Sequence, residues 1–515
     1  MKKTILFSLA MAASLVSGAQ KLGTIDSTFG TNGRTVKDVT GSAYNETITG
    51  SAVGPNGDIY VCGYTTTNVG ADLFVAHYDA NGQLDANFGN SGIFISDLSL
   101  GGDDFAGAVL RKANGKLMVT GSTAGNAYRE PMLIQLNSNG SFDASFGTNG
   151  VVKYDLGIAA TSGFIVERAD GKIVMGGTFN NGSDHDFYAL TVHPDGSRAT
   201  GFGNNGFQNY GFAGKDESLV AMLTDANNRV LLGGSYKDQF TDKISMIMID
   251  STGNGASGFG LNGWVMVQEG SYFTYLSDLK FDASGNIVGA GWVKGGINND
   301  VFIFRLLPSG LFDKNFDSDG KRQFGLKIGN PANEYLYSIN IQNDGKIVAY
   351  GYYLENSIKY GLVIRFKSDG SSDQGFGGPY GYNLIPHADF NNTLSGNIIV
   401  RPSNERIIMV GRTKVNSDYD MMLVAIHGTE PFPASVKSNV NQSLKLYPNP
   451  AHEQFAVEAD WTEGTLVLMD LNGKVISSWN EKLQTYSIPA NLKQGVYVVR
   501  LQTATATFTS KMIIN

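Results

Sequence analysis

A nine-residue string recurs along this chain at an almost constant interval. It reads IDSTFGTNG at residues 25–33, LDANFGNSG at 84–92 and FDASFGTNG at 142–150, and its phenylalanine marks further copies to give Phe29, Phe88, Phe146, Phe202, Phe259, Phe316 and Phe376. The intervals are 59, 58, 56, 57, 57 and 60 residues. A period that regular over most of a 515-residue chain describes a stacked array of one supersecondary unit. Each unit carries four strand-like runs. In the first they are Ile48 to Val53, Ile59 to Tyr64, Leu73 to Tyr78 and, after the loop, a short run like Arg34 to Val39. Asn-Gly, Asp-Gly or Ser-Gly pairs punctuate them at Asn56-Gly57, Asn114-Gly115, Asp170-Gly171, Ser284-Gly285 and Asp344-Gly345, and again at Asn81-Gly82 and its counterparts, where a tight hairpin needs positive φ. Adjacent strands are therefore antiparallel. A four-stranded meander cannot bury both faces alone, so the copies must stack.

A closed ring, an open solenoid and separate beads would all stack or string such units, and the chain ends discriminate among them. The last copy stops after Met421 to Ile426 without its loop or fourth strand, and the orphan loop and strand stand at the other end, in Ile25 to Val39. Complementary ends imply a ring in which the N-terminal strand completes the last sheet. The expected fold is all-β: a seven-bladed β-propeller of four-stranded blades over 20–430, a linker at 431–443 and a small β-sandwich at 444–515. The strand before the first turn should line the central channel, and the strand after the loop should be outermost.

Residues 1–19 have the form of a signal peptide: Lys2 and Lys3, an apolar run Ile5 to Val16, and Ser17-Gly18-Ala19 before Gln20. No later apolar run is long enough for a transmembrane helix. Cys62 is the single cysteine, which rules out an intramolecular disulfide, and its place in an apolar strand marks it as a buried core residue. A net charge of −8 leaves no basic footprint for nucleic acid.

The recurring loop resembles the signature of the delta-60 repeat family of bacterial secreted and surface proteins, over about residues 23 to 428. Phe316 is followed by Asp317 where the family pattern has Gly, and the last loop reads Phe376-Gly377-Gly378-Pro379. This resemblance implies a propeller-like scaffold and no single chemistry. The C-terminal segment resembles the type A sorting domain of the type IX secretion system of Bacteroidetes. The matching residues are Leu446-Tyr447-Pro448-Asn449-Pro450, then Asp470-Leu471-Asn472-Gly473-Lys474-Val475, Gly495-Val496-Tyr497-Val498-Val499, and Lys511 to Ile514. That resemblance implies type IX secretion machinery as a partner and a secreted, extracellular or outer-membrane location. A plain carbohydrate-binding sandwich is the alternative.

Motifs for chemistry are sparse. His77, His185, His193, His387, His427 and His452 show no zinc-ligand spacing, and no nucleophile elbow or phosphate loop occurs. Asn315 to Gly320 imitates the start of a calcium loop, but Leu326 stands where the bidentate carboxylate belongs. No cofactor is predicted, with calcium there as the alternative. Ser371 to Gly375 imitates a sialidase Asp-box and is in register with the repeat loop. An acidic residue recurs before the third strand at Asp72, Glu130, Asp186, Asp242, Asp300 and Asp420. These six form a candidate ligand face, or are turn residues accepting backbone N–H groups. Tyr272, Phe273, Tyr352 and Tyr353 form a candidate sugar platform, or pack between blades. The functional expectation is a non-catalytic binding or adhesion propeller for an extracellular glycan or protein. The alternatives are a glycan-active enzyme with carboxylates at the channel mouth and a structural surface-layer component.

Overall fold

The computed structural model describes residues 22–41, 44–125, 128–237, 242–295, 298–326, 332–385, 397–401, 405–415, 418–429, 444–459, 461, 464–470, 474–503 and 507–515. The expected signal peptide at 1–19 and linker at 431–443 lie outside them. The chain falls into two compact units, Met1–Glu430 and Pro431–Asn515.

Among its described residues the first unit contains seven four-stranded antiparallel sheets, six of them meanders that run from the inside outward. Blade I, for example, runs Asn45–Val53, Ile59–Thr66, Ala71–Tyr78 and Ile93–Ser96. The seventh sheet is built from both ends of the unit: Ile398–Val400, Ile407–Val415 and Asp418–Ile426 are joined by Arg34–Lys37. Arg34 pairs with Val424 and Lys37 with Met421. The seam continues outside that ladder, where the Gly23 amide donates to the His427 carbonyl at 2.9 Å and the His427 amide to Thr24. The ring is thus closed by the predicted clasp.

The repeated loop is a blade-to-blade clip. All seven marker phenylalanines are buried, at 2% exposure or less. Each ring packs under the glycine of a turn in the next blade: Phe29 under Gly82, Phe88 under Gly140, Phe202 under Gly253 and Phe316 under Gly370. A backbone bond fixes the same junction, as in Gly30 to Asn81, Gly89 to Asn139, Gly203 to Thr252 and Gly260 to Ser309. The last clip lands on the opposite end of the chain, with the Gly377 amide donating to the Leu22 carbonyl. Burying each ring contributes about 1.5–3 kcal/mol.

The core lies between neighbouring blades. Tyr60, Cys62, Val75 and Phe88 of blade I pack with Val109, Leu117, Ile134 and Leu136 of blade II in one cluster. Cys62 is fully buried there, and burial pushes its thiol up to about 12. In blades I to VI the innermost strand carries a β-bulge at one register position, between Ile48 and Gly50, Ala106 and Ala108, Ser162 and Phe164, and so on. Opposite it stands a glycine. A Cβ added to Gly63, Gly177 or Gly234 would lie 2.0, 1.6 or 2.0 Å from the carbonyl oxygen of Thr47, Thr161 or Ser218. Glycine is required by close backbone approach, which lets the bulge bend the strand toward the axis.

The second unit pairs a three-stranded sheet (Lys445–Tyr447, Gln454–Glu458, Tyr486–Ser487) with a four-stranded one (Val475–Trp479, Thr465–Met469, Gly495–Gln502, Thr507–Ile514). Phe455, Trp461, Leu466, Tyr486, Val499 and Met512 share the core between them.

Candidate functional site

The innermost strands of all seven blades line a central cavity of about 320 Å³. Its wall is apolar along blades II to IV, with Val109, Phe164 and Met222, and polar along blades V to VII and I, with Ser277, Asn340, Asn397 and Thr49. The charged side chains of this wall are Asp278 and Lys280, which pair at 2.7 Å. Asp278 also accepts from Ser338 Oγ at 2.8 Å and the Ile339 amide at 3.0 Å. The ion pair is therefore internally satisfied and ties blade V to blade VI.

Where the innermost strands begin, an aromatic crescent spans these two blades. Tyr275 stacks on Trp292 at 3.9 Å, Trp292 meets Tyr335 edge-on at 5.0 Å, and Tyr335 stacks on Tyr352 at 4.4 Å. Tyr337, which lines the cavity, stacks on Tyr352 at 5.5 Å and so links the crescent to the channel. The ring positions are held by polar anchors. Tyr275 Oη donates to Asp242 at 2.6 Å, Asn299 donates to Tyr335 Oη, and Lys359 Nζ lies 5.0 Å from the Tyr352 ring centre. Burial and the neighbouring Asp242 raise the Tyr275 phenol above its ordinary range. Tyr272 and Phe273, at 39% and 37% exposed, extend the patch outward. Tyr353, grouped with them by sequence, is buried at 1% because adjacent strand residues point to opposite faces. Trp292, Tyr275 and Tyr335 were missed by sequence reasoning; their recurrence at equivalent positions of consecutive repeats was the available signal.

The six recurring acids lie along the same rim in two environments. Asp186 and Asp420 are buried, and Asp72, Glu130, Asp242 and Asp300 are half-buried. Asp186 accepts from Asn181 and Asn209, Asp300 from Gln323, and Asp242 from Tyr275. Four face a second acid at the head of the next blade's innermost strand: Asp72 with Asp104, Asp186 with Glu217, Asp300 with Glu334 and Asp420 with Glu46. At the other two junctions that position holds Ala160 or Thr274.

The aspartates of the repeated loops serve the clips. Asp26, Asp143, Asp313 and Asp373 pair with Arg406, Lys116, Arg305 and Arg365 at 2.6–2.8 Å. Blade I differs, placing His77 between Asp58 and Asp85 at 3.1 Å each and stacking it on Tyr60. In the string that imitates a calcium loop, Asp317 pairs with Arg322, and the Asp-box look-alike places Asp373 on Arg365. Among the described residues, no group of three or more His, Cys, Asp or Glu is placed to hold a metal ion.

In the second unit the entrance and exit motifs meet. Asn449 Nδ2 donates to the Lys511 carbonyl at 2.8 Å, and the Ile513 amide donates back to Asn449 Oδ1. Tyr447, Pro448, Pro450 and Lys511 are exposed around this tie, whereas Tyr497 is buried and donates to the Lys493 carbonyl. The half-buried Asp470 accepts from the Lys474 amide across the hairpin, and half-buried Gly495 opens the strand that carries Tyr497. Gly473 lies outside the described residues. Residues 445–515 match the family model of the secretion system C-terminal sorting domain. The tail is a sorting domain of that family. A sorting domain of this type directs export through the type IX machinery to the cell surface or extracellular space. Upstream of the sorting domain, residues 54–88, 112–146 and 342–376 match a β-propeller domain family of unknown function.

No curated protein matches the chain. Among solved structures it is similar to PorZ, a surface component of the type-IX secretion system of Porphyromonas gingivalis, at 11% identity and a TM-score of 0.20 over 96% of this chain and 86% of that one. It is also similar to the polysaccharide lyase Uly1, at 10% identity and a TM-score of 0.43 over 78% and 92%. A third is Sqt1 from Chaetomium thermophilum, at 12% identity and a TM-score of 0.36 over 75% and 98%. No helix among the described residues is long and apolar enough to cross a membrane.

Proposed function

We propose that this exported propeller is a non-catalytic binding or adhesion module that takes an extracellular glycan on the aromatic crescent of blades V and VI. The single observation that carries the reading is the continuous run Tyr275–Trp292–Tyr335–Tyr352–Tyr337 from rim to channel. Its rings stack mainly on one another, so a ligand meets their edges and hydroxyls, together with the outward surfaces of Tyr272 and Phe273. Asp242 and Asp300 flank the crescent and supply acceptors for sugar hydroxyls. Rigid aromatics give contact area at little entropic cost, which suits weak, repeated engagement at a surface.

Glycan-array binding by the full mature chain tests this reading. Trp292→Ala and Tyr352→Ala are expected to weaken any hit by about two- to tenfold each, from about 0.5–1.5 kcal/mol per aromatic contact. Unchanged binding in both variants, or hydrolysis of the bound glycan, would overturn it.

A further inference from the structure

Three glutamates stand at the head of an innermost strand, each sealed from solvent: Glu46, Glu217 and Glu334, at 0, 1 and 2% exposure. Neither carboxyl oxygen of Glu217 meets a side-chain donor, and Oε2 of Glu46 and of Glu334 is likewise unpartnered. Thr65 Oγ1 donates to Glu46 Oε1 at 3.5 Å and a backbone amide reaches each of the three carboxyls, but these contacts only partly offset the desolvation cost that an ionised carboxylate placed so would bear. What each glutamate faces is another acid, contributed by the third strand of the preceding blade. The junction of blades III and IV shows the geometry. A Cβ on Gly211 would lie 1.8 Å from Asp186 Oδ1 and 2.9 Å from Glu217 Oε2, so the missing side chain is the space into which both carboxyls converge. Gly325 occupies the equivalent place beside Asp300.

We propose that these three blade junctions are each held shut by a proton shared between the glutamate and the preceding blade's aspartate, so that the ring loosens as pH rises. Glu46 faces Asp38 and Asp420, with Asp418 and Lys37 beyond Asp420, and the Arg412 guanidinium bonds the Glu46 carbonyl rather than its carboxyl. Glu217 faces Asp186, Asp184 and Asp216, and His185 and Lys237 lie on the far side of Asp216. Glu334 faces Asp300, with Tyr353 and Tyr382 nearby. Acids outnumber bases around all three. Burial first, and the neighbouring carboxylates second, push each glutamate up to about 8, with the Phe212 amide opposing them at Glu217. Two like charges in one dry seam cannot both ionise cheaply, so a proton is retained.

The sign follows from linkage. The folded ring binds these protons more tightly than the unfolded chain, whose glutamates titrate at their ordinary value of 4.5. Their stabilisation is complete below pH 4.5 and is lost as pH rises through about 8. The seam of Glu46 is also the ring closure, because that carboxyl is bonded by the Val39 amide just beyond the clasp strand.

Thermal unfolding of the full chain between pH 5.5 and 9 tests the proposal. The melting temperature of the propeller is expected to fall by roughly 5–10 °C across that range. Glutamine keeps the shape of a protonated glutamate and can donate to the facing aspartate. The triple variant Glu46→Gln/Glu217→Gln/Glu334→Gln should therefore lose most of the slope. A wild-type melting temperature that is flat or rises with pH, or a triple variant with the wild-type slope, overturns it. If the variant does not fold, infrared spectra of the wild-type chain decide: protonated carboxylic acid absorption at neutral pH that disappears by pH 9 supports the seams, and its absence at neutral pH refutes them.

Discussion

Removing residues 22–40 should cost the propeller most of its stability, because that segment is both a strand of blade VII and its clip. Three groups of contacts are lost with it. Phe29 is fully buried under Gly82, and deleting such a ring costs about 3–5 kcal/mol. The backbone bonds from Gly23, Asp26, His427 and Ala425 across the seam contribute about 1 kcal/mol each. The ladder of Arg34–Lys37 against Met421–Val424 adds a similar sum and covers an edge that would otherwise be open. The total, on the order of 11–13 kcal/mol, is comparable with the 5–15 kcal/mol that typically separates folded from unfolded states. A chain beginning at Gly41 is expected to melt roughly ten degrees or more below the intact protein by circular dichroism. A synthetic peptide spanning residues 22–40 should restore the transition in a concentration-dependent way, since it binds only the folded ring. An unchanged melting temperature, or a peptide without effect on the truncated chain, would refute closure by the clasp.

Two further outcomes follow from the same geometry. Gly234→Ala forces a methyl to within 2.0 Å of the Ser218 carbonyl, and should destabilise the ring by about 1–3 kcal/mol in urea titrations, whereas Gly201→Ala, where nothing lies within 4 Å and φ is not positive, should leave stability nearly unchanged. Lys116, then Ser145, hold the Asp143 carboxyl below the usual carboxylate range. That stabilisation is present above the ordinary value of 3.8 and disappears in stronger acid, so Asp143→Asn should lower stability near pH 7 and flatten the acid limb of the denaturation curve.

Phe29 and its six repeats were legible because a large apolar side chain inside a Gly-rich turn has no reason to recur in register unless it is buried against the next copy. The missing fourth strand after Ile426 made closure legible too. Glu46, Glu217 and Glu334 were not. An acid beside a turn is commonly solvated, and nothing local distinguishes these from Asp216 or Asp418, their exposed or half-buried neighbours. Their burial is imposed by the adjoining blade. The bulge-facing glycines such as Gly63 were hidden for the same reason, since their requirement is a carbonyl on another strand. Tyr352 and Tyr353 illustrate the smallest failure, a one-residue choice of face within a strand.

The seam between Gly23 and His427 places a condition on when the propeller can be finished. The earliest-made strand has no partner until Met421 to Val424 have been synthesised, so closing the ring is a late, long-range zipping event that follows folding of the intervening blades. The address for export lies beyond those residues. Any polypeptide that carries the address therefore also carries both halves of the fastening, and a chain interrupted before blade VII would lack the one together with the other.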